Sequence, residues 1–452
     1  MSVPVILLIV SAAVLLLLLL VLKAKISAFI SLLITSVFVG ILAGMPLKEI
    51  LNAIQKGMGD TLGFIAVVVG LGAIFGQILE SSGGAHALAA YLLKKFGQSR
   101  ASWALVLTGF VVAIPVFFDV GLIIMMPIIY ALSRDTRKSL LLFGIPLLAG
   151  LAVAHSFIPP TPGPVAVSEI IGAKLGSVIP LGILLGLPTA VIAGPLFGKY
   201  IAGKINITPP SELAGTGEEN RGSGTLPSFW RVIILIVIPL LLIVASTFTE
   251  MILDRKGIQS TVLTDIVMFI GHPFSALIIA TLLAIWLLGI KRGMSRKNIM
   301  SLSTKALGPA GIIIFVTGAG GVLKEVLVES GIGASLAESV AGANLSPILL
   351  AWIIAVVVRV TQGSATVAMI TAGGIMAPLL PSFALDNSHM ALVVIAISSG
   401  ATMASHVNDS GFWLVSKYFG MDEKQTLRSW TVMESIIAMC GLAFTTAASL
   451  IV

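Results

Sequence analysis

Charged residues are scarce in this chain of 452 amino acids: Asp, Glu, Lys and Arg together make up only 10%. A soluble domain carries about 25% charged residues, which keep its surface in contact with water. Hydrophobic residues instead make up 57%, and apolar runs such as 5–22 and 232–245 recur along both halves. The composition excludes a soluble protein and predicts an all-α polytopic membrane protein in a lipid bilayer.

Cysteine and recognisable catalytic motifs are also scarce. The single cysteine, Cys440, can form neither an intrachain disulfide nor a cysteine metal site. No nucleophile–base pair and no cluster of metal ligands stands out, so we expect no enzymatic activity, no cofactor and no bound metal. The net charge of +7 is explained by basic loops that orient the protein in the membrane, without a nucleic-acid partner.

The apolar runs and the breakers between them predict two halves of the same design. The predicted boundaries are 1–204 for the first repeat, 205–227 for a polar cytoplasmic linker and 228–452 for the second repeat. The first half is predicted to contain helices at about 4–22, 26–45 and 61–81, an amphipathic piece at 84–97, a hairpin at 101–133, a broken helix at 140–170 and a last helix at 176–201. The second half is predicted to contain helices at about 229–249, 265–290 and 307–328, a short piece at 332–343, a hairpin at 347–381, a broken helix at 389–418 and a final helix at 430–452.

Matching residues support a duplication. A shift of 249 positions places Glu80 on Glu329, and a shift of 251 places His155 on His406. If each hairpin enters and leaves the membrane on one side, each half crosses five times. An odd number of crossings turns the second half upside down relative to the first, which predicts inverted repeats with re-entrant hairpins.

The distribution of Lys and Arg gives an orientation. With the N-terminus outside, six of the 27 basic residues lie in outside segments, Arg359 lies within a hairpin, and all the others lie inside. Such an excess of cytoplasmic positive charge is typical of inner-membrane proteins. We therefore expect both termini outside. The six outside residues are Lys48, Lys56, Lys174, Arg255, Lys256 and Lys324.

Four polar interruptions occur at corresponding stations of the two halves: 115–121, 155–164, 359–366 and 405–411. Non-helical backbone at membrane depth is tolerated only when it is buried in protein or lines a wet cavity. Helix ends that converge there offer N–H groups to an anion. Ser364 and Thr366 suit the start of the second hairpin's second arm, where a hydroxyl can cap the helix, and Gly363 allows close approach to the backbone.

Two carboxylates lie in these interruptions. Asp119 and Asp409 are flanked by apolar sequence, and burial disfavours the charged form of a carboxyl group, so either is a candidate proton carrier. The alternative is a structural role as a helix cap or hydrogen-bond acceptor. For Asp119 the functional interpretation is favoured, because ionisable residues within membranes usually serve function. For Asp409, beside Asn408 and Ser410, both interpretations stay open.

The basic residues of the interruptions are open to several interpretations. Arg359 has a planar fork that fits a carboxylate of the substrate, but it can also pair permanently with Asp119 or Asp409, or extend to the membrane surface. His155 and His406 are candidates for a proton relay, and structural hydrogen bonding is an equal alternative.

Four segments resemble the gluconate:proton symporter (gluconate permease) family. They are FFDVGLIIMMPIIYAL (117–132), AHSFIPPTPGPVAVSEIIGAKLG (154–176), RVTQGSATVAMITAGG (359–374) and SHVNDSGFW (405–413). The resemblance covers essentially the whole chain and implies proton-coupled symport of gluconate or a related small hydroxy acid across the bacterial inner membrane. The layout also resembles the wider ion-transporter superfamily, which implies an elevator-type fold and a homodimer.

The resemblance also implies a coupling ion and a substrate site, and it leaves several functions open. Asp119 stands where sodium-coupled relatives have an amide, which favours a proton over sodium as coupling ion. The substrate carboxylate is expected at the helix that begins near Ser364, and the hydroxyl groups are expected to contact Asn408, Ser410, Thr161 and Gln362. Open alternatives are a sodium-coupled carboxylate symporter, a D-serine or glycerate permease of the same family and, from a different class, a membrane enzyme or channel.

Overall fold

The computed structural model describes residues 3–209, 226–332, 346–407 and 409–451, and every regular element within these ranges is helical. The first half contains α1 (Val3–Leu18), α2 (Ala28–Leu42), α3 (Leu47–Ser81), α4 (Gly84–Phe96), α5 (Ala101–Val112), α6 (Phe118–Thr136), α7 (Leu141–Phe157), α8 (Pro162–Ile171), α9 (Leu175–Val191) and α10 (Phe197–Ala202). The second half contains α11 (Phe229–Lys256), α12 (Val262–Gly271), α13 (Pro273–Ala284), α14 (Arg296–Glu329), α15 (Pro347–Gln362), α16 (Ala365–Met376), α17 (Asn387–Gly400), α18 (Ser410–Phe419), α19 (Glu423–Thr426) and α20 (Val432–Ala448). Most of the predicted linker and nearly all of the predicted piece at 332–343 lie outside the described residues.

The prediction of a polytopic membrane protein is confirmed. In the described ranges, seven helical segments are long and apolar enough to cross a membrane. Shorter apolar helices accompany them, among them both arms of the second hairpin, α15 and α16. The segment Leu141–Ile171, the first broken helix, is 89% buried in its apolar window, whereas the other six reach 33–56%. The broken helix is therefore at the centre of the molecule.

The helices are interrupted where the sequence predicts the two hairpin turns and the two broken helices, and the arms of the second hairpin pack on each other. The hairpins turn at 113–117, between α5 and α6, and at Gly363–Ser364, between α15 and α16. The broken helices are interrupted at 158–161 and 401–409. Proline explains the two interruptions in the first half, because Pro115, Pro159 and Pro160 lack the N–H group that would continue a helix. We call these four segments the first tip, second tip, first break and second break.

Two helices begin much earlier than predicted. The helix expected at 61–81 begins at Leu47, and the helix expected at 307–328 begins at Arg296. The added turns contain charged residues, so they carry no hydropathy signal, but they contain no residue that would stop a helix before Pro46 or Ser295. An apolar run therefore marks only the part of a helix that suits lipid.

Two further boundaries differ from the prediction. The helix expected at 265–290 is divided, since α12 ends at Gly271 and α13 begins at Pro273. Proline restricts the residue before it to an extended conformation, and His272 accordingly has ψ 137° and caps α13 through its Nδ1, which accepts from the N–H of Phe274 at 3.3 Å. The helix expected at 430 begins earlier, at Glu423, and passes through a π-helical turn at Leu427–Thr431 into α20.

Helices α3 and α14 pack antiparallel to each other. Lys56, near the start of α3, forms ion pairs with Glu325 at 2.6 Å and Glu329 at 3.2 Å, both at the end of α14. At the other end of the pair, Lys305 of α14 acts electrostatically on Glu80 of α3. The two helices lie so close together that a Cβ on Gly321 would overlap α3. The run at 318–321 thus serves packing, as glycine does between membrane helices.

The first arm of each hairpin packs on the first part of the broken helix in its own half, α5 on α7 and α15 on α17. Glycine allows both approaches: Gly150 of α7 meets the backbone of Val106, and Gly400 of α17 meets the backbone of Trp352. The second arms cross over, so that α16 packs on α8 and α6 contacts α18. This exchange brings the tips and breaks of both halves to the middle of the protein.

Candidate functional site

An ion pair joins the second tip to the second break. Arg359, near the end of α15, is 2% exposed, and its Nη2 lies 2.5 Å from Oδ2 of Asp409. Its Nη1 donates to the carbonyl oxygen of Gly363. Of the interpretations left open by the sequence, the structure shows the internal pair with Asp409. The guanidinium group fixes the tip to the break.

Asp409 organises the second break. It is the N-cap of α18, where its Oδ1 accepts a hydrogen bond from the N–H of Gly411 at 3.0 Å. Its Oδ2 also accepts from the Ser405 hydroxyl at 2.5 Å. With Arg359 as counter-ion, this carboxylate is satisfied by protein groups. The neighbouring Ser410 is exposed, and Asn408 lies outside the described residues.

The start of α16 presents free polar groups. Gly363 adopts φ +83°, a left-handed conformation that ends α15 and that glycine tolerates best. Ser364 then caps α16, as predicted, because its Oγ accepts from the N–H of Val367 at 3.4 Å. Ser364 is exposed, and Thr366 is half-buried without a protein hydrogen bond in the described ranges. A helix N-terminus with accessible hydroxyl groups is a suitable place for an anion.

Gln362 lies beside this helix start with an unsatisfied amide. Its side chain is 8% exposed, yet neither Oε1 nor Nε2 has a hydrogen-bond partner among the described residues. Buried polar atoms without partners are rare and destabilising, so they call for a water molecule or a ligand. Gln362 is thus the predicted substrate residue with the most direct structural signal.

The two histidines occupy different positions in the structure. His406 lies within the second break, and its Nε2 is 2.9 Å from the carbonyl oxygen of Val360, which adds a second link between tip and break. His155 lies in the last turn of α7, with its ring edge-on to Phe117 of the first tip at 6.3 Å between centroids. The Nδ1 of His155 is buried without a partner among the described residues.

Asp119 differs from Asp409 in its surroundings. It lies in the first turn of α6, directly after the first tip, with an exposed side chain and no hydrogen bond to a described residue. It is close enough to Asp409 for the two carboxylates to interact electrostatically. Thr161, at the start of α8, is 4% exposed and donates to the carbonyl oxygen of Ile158 at 2.5 Å.

The two halves meet around these residues. Phe118, beside Asp119, packs its ring 5.4 Å from that of Trp430, and Gly163 of α8 faces Met369 of α16. A cleft next to the first tip is lined by residues of α3, the first tip and the first break, including Thr161. Both tips and both breaks therefore belong to one region.

One acidic group in this region was not predicted from the sequence. Glu434 of α20 is 4% exposed, and its Oε1 has no hydrogen-bond partner among the described residues. An acidic residue in an apolar segment was the same signal that identified Asp119, but the predicted helix start at 430 put Glu434 near a membrane surface. In the described ranges no group of three or more potential metal ligands occurs.

Comparison with known proteins finds relatives that are all permeases or transporters. The model of the GntP family permease matches residues 5–451. A gluconate permease of Pseudomonas aeruginosa is 39% identical over 95% of this chain and 94% of its own length. A low-affinity gluconate transporter of Escherichia coli is 40% identical over 93% of each chain.

A solved structure has the same overall fold. The YdaH transporter of Alcanivorax borkumensis superposes with a TM-score of 0.62 over 88% of each chain, at 12% sequence identity. Family membership rests on the sequence matches, which extend over nearly the whole chain, and it settles the class as a transporter and not an enzyme. This chain is a multi-pass protein of the bacterial inner membrane and belongs to the GntP family of permeases.

Proposed function

We propose that this permease is a secondary active transporter that carries gluconate, or a closely related small hydroxy acid, together with protons. Relatives named for gluconate share 39–40% identity with this chain over more than nine-tenths of it. The observation that carries the proposal within the molecule is the start of α16. There, an exposed capped helix N-terminus lies beside a buried amide that has no described partner.

The substrate carboxylate would bind at this helix start. The N–H groups of the first turn of α16 and the hydroxyl groups of Ser364 and Thr366 are donors suited to an anion. Gly363 lets the ligand approach the backbone. Arg359 supports the helix start only from behind, since it is almost fully buried and its charge is already paired with Asp409.

The hydroxyl groups of the substrate need several donors and acceptors. Gln362 offers both through its unsatisfied amide, and a hydrogen-bonding site rejects ligands that leave it unpaired. Ser410 is exposed beside the second break, and Thr161 starts α8 across from α16. We propose that these residues, with Asn408, select a polyhydroxylated acid over a simple carboxylate.

Protons are the proposed coupling ion, with Asp119 as the first carrier. Its carboxylate has no protein partner in the described ranges, so a change of charge there breaks no ion pair. Asp409 is the second candidate, and it is less free because Arg359 and Ser405 hold it. A relay through His155 and His406 would need a water chain, since His155 packs on the first tip and His406 on the second.

The remaining architecture follows from the same proposal. The antiparallel pairing of α3 with α14 and the crossed packing of the hairpins support inverted repeats at 1–204 and 228–452. The distribution of Lys and Arg supports both termini outside. In an elevator-type homodimer, the tips and breaks would move as one body along α3 and α14.

Uptake into proteoliposomes tests the function. The purified protein should accumulate labelled gluconate above its equilibrium level when an inward proton gradient is imposed, and the panel should include glycerate, D-serine and citrate. Accumulation that needs sodium and ignores the pH gradient contradicts proton coupling. Equal uptake with and without a gradient indicates a channel or facilitator. No uptake of any acid in the panel contradicts the proposed substrate class.

A further inference from the structure

Helix α20 is attached to the second break along one face. The indole Nε1 of Trp430 donates to the hydroxyl of Ser405 at 2.7 Å, and the Thr431 hydroxyl donates to the Ser405 carbonyl. One turn further, the Thr402 hydroxyl, which donates to the Ser399 carbonyl at 2.8 Å, also lies 3.3 Å from the backbone carbonyl oxygen of Glu434. The π-helical turn at Leu427–Thr431 sets this face, and such turns are frequent at functional sites. Glu434 thus lies beside the residues that anchor Asp409.

The carboxyl group of Glu434 is buried without a hydrogen-bond partner for Oε1 in the described ranges. An ionised carboxylate in such surroundings is strongly destabilised unless a positive charge compensates it. The one candidate is Arg359, which acts on Glu434 electrostatically but is paired at 2.5 Å with Asp409. One guanidinium group therefore has two carboxyl groups within its influence.

Within the described ranges no other positive charge faces Glu434, and Asp119, which interacts with Asp409, adds only negative charge. Of the other helices packed against α20, α9 contains no titratable residue, α17 contains only His389 in its first turn, and α7 contains only His155 in its last turn. Arg428, in the π-helical turn, is exposed. Within the described ranges, Arg359 and Asp409 are the charged groups that act on Glu434.

A substrate anion at the start of α16 would depend on the same guanidinium group. With Glu434 neutral, the charges of Arg359 and Asp409 cancel, and an added carboxylate gains from the helix N-terminus. With Glu434 ionised, the region carries a net negative charge, and the anion is repelled. Two ligands that favour the same state of a protein strengthen each other's binding by the same factor. Here the two ligands are a proton on Glu434 and the substrate carboxylate.

We propose that Glu434 is a proton-binding residue of the transport site, which accepts a proton when the substrate anion binds near Ser364. Arg359 is the one positive charge near Glu434 in the described ranges, and it is paired with Asp409. Protonation of Glu434 therefore removes a negative charge that no second cation compensates. This inference rests on the proposed transport of a hydroxy acid. Glu434 acts through Arg359 and Asp409 and does not touch the substrate.

The test measures gluconate affinity as a function of pH, by calorimetry on the purified full-length protein in detergent. In the wild type, affinity should fall about tenfold per pH unit where Glu434 releases its proton, because one proton is linked to each anion bound. Glu434→Gln mimics the neutral carboxyl group, so it should keep the affinity seen at low pH and lose this dependence. Glu250→Gln is the matched control, since Glu250 is half-exposed and pairs with Lys174 at 3.0 Å.

Each outcome decides a different question. Wild-type binding with an unchanged pH profile in Glu434→Gln contradicts the inference and leaves the proposed function standing. Wild-type protein that binds no acid of the panel contradicts the proposed function and the inference together. If Glu434→Gln does not fold, proton uptake on gluconate binding decides, measured for Asp119→Asn in buffers of different ionisation enthalpy, because that variant lacks the other proposed proton carrier. Binding without proton uptake then overturns the proposal.

Discussion

The two halves of the chain place a hairpin tip against a broken helix in the same order, but different chemistry joins the two parts. In the second half, Arg359 pairs with Asp409, and His406 contacts the backbone of the tip. In the first half, the described contact is a ring packing between Phe117 and His155, with prolines on both sides. The second half is held by directional polar bonds, and the first by apolar packing.

This difference separates two tasks within one repeated design. A buried ion pair contributes little net stability, but removing one partner leaves an uncompensated buried charge, which is strongly destabilising. The pair therefore holds the tip and the break in one geometry. The second tip and break therefore form a rigid platform, and this is where we propose that the substrate anion binds. The first tip leaves Asp119 without a partner in the described ranges, so its charge can change without disrupting the platform.

The largest effect is expected from removing the cation of the platform. Arg359→Met leaves the Asp409 carboxylate without its counter-ion, which should destabilise the protein by about 3–5 kcal/mol. The measurement is thermal unfolding in detergent, combined with gluconate binding. Adding Asp409→Asn should recover part of the lost stability, because the uncompensated charge is gone. If the single variant unfolds like the wild type, the pair does not hold the second half together.

A smaller effect should distinguish how α3 and α14 support the two hairpins. A methyl group on Gly76 of α3 would overlap the backbone carbonyl of Pro115 in the first tip, whereas one on Gly320 of α14 would meet the side chain of Ile370. Overpacking costs about 1–3 kcal/mol, and backbone yields less than a side chain. Gly76→Ala should therefore destabilise more than Gly320→Ala.

The control for this pair is Gly308→Ala, where a Cβ meets nothing within 4 Å. It should be neutral or slightly stabilising, because alanine favours a helix over glycine by about 1 kcal/mol. Unfolding midpoints of the three variants, compared with the wild type, give the order. A reversed order of Gly76→Ala and Gly320→Ala would show that the first tip is the more yielding of the two.

A third prediction concerns the helix start at the second tip. Ser364→Ala removes a cap, which costs about 1 kcal/mol of stability, and it also removes a proposed substrate donor. Ser346→Ala removes the equivalent cap of α15, at the far end of the same hairpin, where Oγ accepts from the N–H of Leu349 at 3.5 Å. Both variants should unfold alike, but only Ser364→Ala should weaken gluconate binding, by about fivefold to tenfold. Equal affinities in the two would remove Ser364 from the site.

Much of this platform could be predicted from the sequence. Proline, glycine and polar residues interrupt apolar runs at 115–121, 155–164, 359–366 and 405–411, and each interruption coincides with a tip or a break. The cap at Ser364 was predicted from the same pattern. Local rules suffice here, because a residue that lacks a backbone N–H or caps a helix acts within a few positions of itself.

The rest depends on contacts between distant segments. The sequence allowed Arg359 to serve the ligand, a protein carboxylate or the membrane surface, and only the approach of α15 to the second break selects Asp409. Glu434 was missed because its importance arises from the packing of α20 on that break. The added turns of α3 and α14 escaped a hydropathy criterion, since charged residues such as Lys56 there form ion pairs between the two helices.

The smallest effect on stability is expected from Asp119→Asn, which should nevertheless strongly impair the coupling of gluconate transport to protons. Asp119 is exposed and has no hydrogen-bond partner in the described ranges, so Asp119→Asn should change the free energy of unfolding by less than about 0.5 kcal/mol. The amide cannot bind a proton, and accumulation of gluconate driven by a pH gradient should disappear, while exchange of labelled for unlabelled gluconate persists. Asp135→Asn, at the other exposed end of α6, should leave accumulation unchanged. If Asp119→Asn still concentrates gluconate, another residue carries the proton. The unpaired Asp119 carboxylate would then not give the first half a task different from that of the second half.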